Sequence, residues 1–290
     1  MHYTLLLLIL INLLACSNRD SGKKISNNET YDFNNPKVIN LPVELDEISG
    51  IAYYAKDTSI FAIIDEDGIL FKVPLLNPAR YRQWRFDKRR DYEDIVMIDS
   101  TLYVLVSNGD IETVTFNGKN FNGSSSDFGK GKKSKNEFEI LYQHPDSNAL
   151  VMVCKDCEAD AKTSVGRFNF DYSNTKEYTP DKAFDMSRFA QKIGQEKHLK
   201  ASAAAINPIT KDLYMVSSVH KVMLVIDPKG NVKEVHKLKP DIYKQPEGMA
   251  FTPAGDLIIS NEFADDGLPN LLIIKNNKKT DLQNKKQINE

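Results

Sequence analysis

Only three cysteines and one tryptophan occur among the 290 residues, and neither glycine (14) nor proline (12) is abundant. Three cysteines cannot build the dense disulfide framework of small secreted domains, and the glycine and proline content excludes collagen-like and low-complexity classes. An excess of one charge is missing too. Lys and Arg number 38 against 40 Asp and Glu, a formal net charge of −2, so no global field draws the chain to nucleic acid or to an anionic membrane. The longest apolar run, residues 5–15, is interrupted only by Asn12 and falls short of the ~20 residues that span a bilayer, which excludes multi-span membrane proteins. What is present, 41% hydrophobic and 27% charged residues, is the usage of an ordinary folded chain with apolar side chains enough for a packed core.

The run at 5–15 has the length of the apolar region of a signal peptide. It ends Leu13-Leu14-Ala15-Cys16, which resembles the lipobox of bacterial lipoproteins, where the cysteine is lipidated and becomes the mature N-terminus. The expectation is a signal peptide over 1–15, lipid attachment at Cys16 and a polar tether through residue 35. The protein would then be anchored by its N-terminal lipid in the cell envelope, at the outer membrane. The alternative, a buried apolar N-terminal helix, fits poorly with the polar, unpatterned residues that follow.

Internal repetition identifies the fold. Five segments share one plan: a polar start, two or three apolar residues, a turn, then an apolar strand ending in polar residues. They begin at Ser49, Glu93, Glu139, Ser202 and Glu247, with second strands ending at Asp65, Ser107, Lys155, Ser218 and Glu262. A third strand follows each, at 68–75, 110–116, 165–171, 221–227 and 270–275, and polar fourth strands are expected at 81–86 and 232–238. The starts lie 44, 46, 63 and 45 residues apart, close to the ~40–50 residues of a propeller blade. The long interval holds a short helix over 185–193. Strands apolar on both faces, such as 150–153, need cover on both sides, which radially stacked blades supply. The reading is therefore an all-β, single-domain β-propeller over 36–275, with five visible repeats, five or six blades, and antiparallel four-stranded blades. The strand at 36–41 closes the ring as the outer strand of the last blade, and 276–290 is a polar tail. Tandem immunoglobulin-like sandwiches also use short strands and frequent turns; the repeat spacing favours the propeller.

Glu47-Ile48-Ser49-Gly50-Ile51-Ala52, Tyr92-Glu93-Asp94-Ile95, the segment 208–218, Gln245-Pro246-Glu247-Gly248-Met249-Ala250-Phe251 and Ile259-Ser260-Asn261-Glu262 resemble the SdiA-regulated (YjiK-like) family over about residues 40 to 275. The resemblance implies a β-propeller, often on an envelope lipoprotein, with an acidic, calcium-binding centre. It departs in the third and fourth repeats, at Ile140 and Ala204.

Glu93, Glu139 and Glu247 occupy equivalent repeat positions, so ring closure carries them toward one axis. Carboxylates crowded in a partly desolvated channel take up protons or a cation, and hard oxygen ligands select Ca²⁺ or Mg²⁺. These three are the candidate metal ligands, Ca²⁺ the candidate cofactor, and Glu47 and Glu262 candidates for an outer shell or rim. A water-filled channel rimmed by solvated glutamates is the plainer alternative. His144 and His220 fall in no catalytic motif, and no catalytic residue is assigned.

Cys154-Lys155-Asp156-Cys157 lacks the second CxxC or histidine pair that a zinc site needs, and it ends a strand rather than opening a helix; a local disulfide between Cys154 and Cys157 is expected. The basic run 80–90, with Tyr81, Trp84 and Phe86, resembles a nucleic-acid patch in isolation but reads more simply as an exposed edge strand blunted by charge; no nucleic-acid partner is expected. Residues 117–136, rich in Gly, Ser and Lys, read as a mobile loop. Two functions are carried forward for a monomer: binding of a small molecule or protein at a calcium-associated centre, or metal-dependent hydrolysis of a small ester or phosphoester of the phosphodiesterase, lactonase or phytase kind.

Overall fold

Five four-stranded antiparallel sheets are arranged around a ring in the computed structural model, which describes residues 30–116, 120–129, 136–156, 166–181, 186–194, 199–262 and 267–278. Each sheet is one blade of a five-bladed propeller, with its first strand innermost. Blade one is β2 (Ile48–Tyr54), β3 (Ser59–Ile64), β4 (Ile69–Pro74) and β5 (Arg82–Arg85); blade two is β6 (Tyr92–Ile98), β7 (Thr101–Val106), β8 (Ile111–Phe116) and β9 (Phe121–Ser126). Blade three is β10 (Glu137–Gln143), β11 (Ala149–Asp156), β12 (Arg167–Asp171) and β13 (Tyr178–Pro180); blade four is β14 (Ala203–Ile206), β15 (Leu213–Ser217), β16 (Val222–Ile226) and β17 (Val232–Lys237).

Blade five combines β18 (Pro246–Phe251), β19 (Leu257–Asn261) and β20 (Asn270–Ile274) with β1 (Lys37–Asn40) from the other end of the chain. The pairing of β1 with β20 runs from Lys37 opposite Ile273 to Asn40 opposite Asn270, as the need to close a ring requires. The Asn277 amide donates to the Thr30 carbonyl at 3.0 Å, so the two ends of the described chain meet.

The apolar side chains pack between blades, not within a single central core. Ile51 and Ala52 show why the strands read as apolar on both faces. Ile51 joins a cluster with Phe71, Ile258 and Leu271 between blades five and one, while Ala52 joins Phe61, Val104 and Tyr92 between blades one and two. Alternate residues of one strand thus enter two different interfaces, and fully burying each large side chain stabilises the fold by about 1.5–3 kcal/mol. The expected helix is present as α1 (Met186–Lys192), with Phe189 and Ala190 buried between blades three and four.

Two expectations need correction. The end of the segment read as a polar tether through residue 35 is packed: Tyr31 and Phe33 are buried with Tyr214 and Tyr243, and the Tyr31 hydroxyl donates to the Gly255 carbonyl at 2.6 Å. The segment 117–136 contains a strand, β9, paired with β8 from Ile111–Ser126 to Phe116–Phe121. Its sequence, Phe-Asn-Gly-Ser-Ser-Ser, carries no apolar alternation because an outermost strand faces solvent. Phe121 anchors one end, edge-on to Trp84 with ring centroids 5.1 Å apart, and the Tyr178 hydroxyl donates to the Ser126 carbonyl at the other at 2.6 Å. Three of the six basic residues at 80–90 pair with acid: Arg89 with Glu66, Arg85 with Asp67 at 3.5 Å, and Arg90 with Asp110 and with Glu112 at 2.6 Å. Arg82 lies over the Trp84 ring, 5.4 Å from its centroid, on the outer strand β5.

Candidate functional site: an acidic cavity at one end of the channel

Every innermost strand starts at the same end of the ring, and in four of the five its pairing is interrupted there. Register shifts fall between Ile48 and Ile51, Tyr92 and Asp94, Phe138 and Ile140, and Pro246 and Gly248. The residues that drop out of the ladder include Ser49, Glu93, Glu139 and Glu247. A β-bulge leaves its extra residue unpaired and re-aims the side chain. Here it turns those four residues out of the blade interfaces and onto the axis.

Glycine lets the strands approach closely enough for this. A Cβ on Gly50 would stand 2.5 Å from both the Asp94 Cα and the Ile95 nitrogen, and one on Gly248 would strike the Ser49 carbonyl and the Ser260 hydroxyl. Where blade two has Asp94 in place of glycine, the carboxylate is buried and accepts from the Ile95 and Leu141 amides, each at 2.8 Å, tying blade two to blade three.

The result is a cavity of about 240 Å³ lined by Ser49, Asp65, Glu93, Glu139, Lys155, Gln245, Glu247 and Glu262. Glu93, Glu139 and Glu247 do converge on it. Glu262 lines it directly and accepts from the Gln245 side chain. Glu47 stays exposed at the rim, its carbonyl accepting from the Asp65 amide at 3.1 Å. Ser202 does not reach the cavity: its hydroxyl donates to the Pro246 carbonyl at 2.6 Å, because β14 begins regularly and no bulge turns the residue inward.

Asp65, Lys155 and Gln245 belong to the site and were not singled out from sequence. The signal was nonetheless there, since Asp65, Lys155 and Glu262 end the second strand of their units, a position held by Ser107 and Ser218 in the other two.

Crowding and burial shape the electrostatics. Burial, reinforced by Glu139 and Asp91, pushes the Glu93 carboxyl up to about 10, and burial with Glu139 and Glu262 nearby pushes Glu247 to about 8. Glu262 rises to about 7 through burial and the charge of Glu47. Asp65 also rises to about 7, through burial and its hydrogen bond with Asp91; Asp91, partly desolvated, is held below the usual carboxylate range by hydrogen bonds from Asp65, Ser107 and Glu93. Burial raises Glu139 as well, opposed by Lys155, whose ammonium donates to Glu139 Oε1 at 2.6 Å.

All donors facing the cavity except Lys155 and the Gln245 amide nitrogen are oxygens, the set a hard cation requires. Among the described residues no three acidic, histidine or cysteine side chains already stand close enough together to hold one ion. A cation there needs the flexible glutamates to close around it. His144 lies at the opposite end of the channel, and His220 Nδ1 is 2.9 Å from the buried Ser217 hydroxyl. Cys154 is buried and disulfide-bonded; Cys157 and Cys16 lie outside the described residues.

Neither protein-family models nor curated proteins match the chain. Solved structures do. A glutaminyl cyclase from Myxococcus xanthus aligns with a TM-score of 0.57 at 14% identity, over 82% of this chain and 94% of that one. A luciferin-regenerating enzyme aligns at 0.51 and 12% identity, over 83% and 95%. The calcium-binding protein regucalcin from Agrobacterium tumefaciens aligns at 0.48 and 11% identity, over 85% and 94%. At such identities the likeness to the first two shows the fold alone, and the third alignment carries no argument.

Proposed function

We propose that this propeller binds a small ligand through a hard divalent cation, Ca²⁺ first, held in the acidic cavity, and that it does so as an envelope lipoprotein of the SdiA-regulated type. One observation carries the reading. Five carboxylates, from Asp65, Glu93, Glu139, Glu247 and Glu262, face one cavity of about 240 Å³, far more negative charge than one lysine balances. Without a cation such a site takes up protons, as the raised Glu93 and Glu247 record. A divalent cation would replace those protons, so uptake should release protons and tighten as pH rises. Glu93, Glu139 and Glu247 are the ligands of choice, with Glu262 and Asp65 behind them.

Hydrolysis needs a base or nucleophile poised beside the ion. Neither histidine singled out from sequence reaches the cavity, so binding is the better-supported function. Calorimetric titration of the full chain with CaCl₂ tests the reading, together with the dependence of melting temperature on ion concentration. Uptake of one Ca²⁺, blunted in Glu247→Gln, is the expected result; no uptake of Ca²⁺ or Mg²⁺ at millimolar concentration would leave a water-filled channel rim. The envelope anchor rests on the Leu13-Leu14-Ala15-Cys16 ending. Cys16→Ser should release the protein from membranes on fractionation, and a wild-type protein that is soluble with Met1 retained would end that part of the proposal.

A further inference from the structure

Among the residues lining the acidic cavity Lys155 is the one with a basic side chain. It stands at the end of the second strand of its blade, where the other blades carry Asp65, Ser107, Ser218 and Glu262, and its ammonium donates to Glu139 at 2.6 Å. The root of the side chain is fixed. Lys155 follows Cys154, which is buried, disulfide-bonded and registered opposite Phe138 of β10. The tip is not fixed, because four methylenes carry an ammonium whose side chain keeps 35% of its surface exposed. We infer that Lys155 is a tethered cation that competes with external cations for Glu139, and so sets both the affinity and the charge selectivity of the cavity. The inference rests on the cation-binding reading above and assigns it a regulator.

Charge and tethering decide the competition. The tether holds the ammonium in contact with Glu139, so pairing costs Lys155 none of the translational freedom that a free ion must give up on entering. A monovalent ion offers Glu139 one charge, as Lys155 already does, and loses that competition. A divalent ion offers two, and it draws in Glu93 and Glu247, which Lys155 does not bond. The cavity is therefore selective for divalent over monovalent cations, with Lys155 swinging toward solvent as the ion enters. Blade four adds a second cation nearby, Lys221, whose charge acts on Glu247 while its ammonium donates to the Lys244 carbonyl, so Lys221 does not bond Glu139 and leaves that competition to Lys155.

The test is calorimetric titration of the full chain, as wild type, Lys155→Gln and Lys155→Arg, with CaCl₂ and with NaCl. Removing one positive charge at this range should tighten Ca²⁺ binding about tenfold in Lys155→Gln. Arginine, able to grip Glu139 with two donors, should weaken it several-fold. Wild-type uptake that Lys155→Gln does not tighten overturns the competitor and leaves the cation site standing. Uptake by neither protein overturns both. Should Lys155→Gln fail to fold, the arginine variant decides alone, since Ca²⁺ binding equal to or tighter than wild type refutes competition for Glu139.

Discussion

At one end of the channel the innermost strands begin, and at the other they finish. Where they begin, the bulges at Ser49, Glu93, Glu139 and Glu247 line a cavity of about 240 Å³ with acid. Where they finish, the register is regular, Tyr53 opposite Ile60, Met97 opposite Leu102, Gln143 opposite Leu150 and Phe251 opposite Leu257. The cavity there is larger, about 760 Å³, and is walled by Ile51, Ile95, Leu141, Ala204 and Met249 with the 143–148 hairpin. The same five strands thus make two unlike mouths. An unbroken ladder sends alternate side chains into the blade interfaces, where they must be apolar; a bulge frees one residue from that demand. Blade four, regular at both ends, adds no carboxylate to the acidic mouth.

The sharpest way to break this contrast is at Gly50. Gly50→Val would drive a side chain into the backbone of Asp94 and Ile95, and neither neighbour can yield; a loss of about 3 kcal/mol or more is expected in urea unfolding, or no folded protein at all. Asp94→Ala ranks next. It leaves the Leu141 amide without its acceptor, so a loss of about 2–3 kcal/mol is expected, with Ca²⁺ uptake retained by the folded fraction.

A change of pH should separate the two mouths. The Asp65 and Glu262 carboxyls, near 7, and Glu247, near 8, all lie above their unfolded values. With Glu93 raised to about 10 as well, the folded chain binds more protons than the unfolded chain between about pH 4.5 and 10, and stability falls as pH rises through that window. Without divalent cations the melting temperature should be a few degrees lower at pH 8.5 than at pH 5.5, and Ca²⁺ should remove most of the difference. A melting temperature that climbs with pH in ion-free buffer would contradict the crowded-carboxylate picture. Reducing the disulfide at Cys154 should cost only about 1–2 kcal/mol by chain-entropy arguments if the loop it closes is short, measurable as a small shift in urea midpoint. The smallest effect belongs to the wider mouth: Lys211→Gln, on its rim, should change stability by under ~0.5 kcal/mol and leave Ca²⁺ titration curves unmoved.

Much of the architecture was legible in the chain because its cause is local. Apolar runs bounded by turns, repeated at blade spacing, marked three strands of every unit, and the extra strand before the first repeat marked the closure that β1 and β20 make. The outermost strands were harder to read. The expected fourth strands at 81–86 and 232–238 are present as β5 and β17, but β9 and β13 face solvent and carry little apolar pattern, so 121–126 reads as a loop. The site divided in the same way. Glu93, Glu139 and Glu247 were visible as equivalent positions in three repeats, whereas Asp65, Lys155 and Gln245 end or precede strands where any polar residue would serve the fold.

The sequence by itself determined the number of repeats, the antiparallel blades and the three glutamates that share a repeat position, since periodicity and burial act residue by residue along the chain. Only the tertiary structure decided that the ring has five blades and that bulges aim Ser49 and the glutamates at the axis while Ser202 turns to Pro246. It also decided that Lys155 stands among the acids as their counter-ion. Those outcomes depend on how closely neighbouring blades approach and on charges brought together from residues about 15 to 200 positions apart. No local pattern carries that information, because electrostatic energy depends on distance through space.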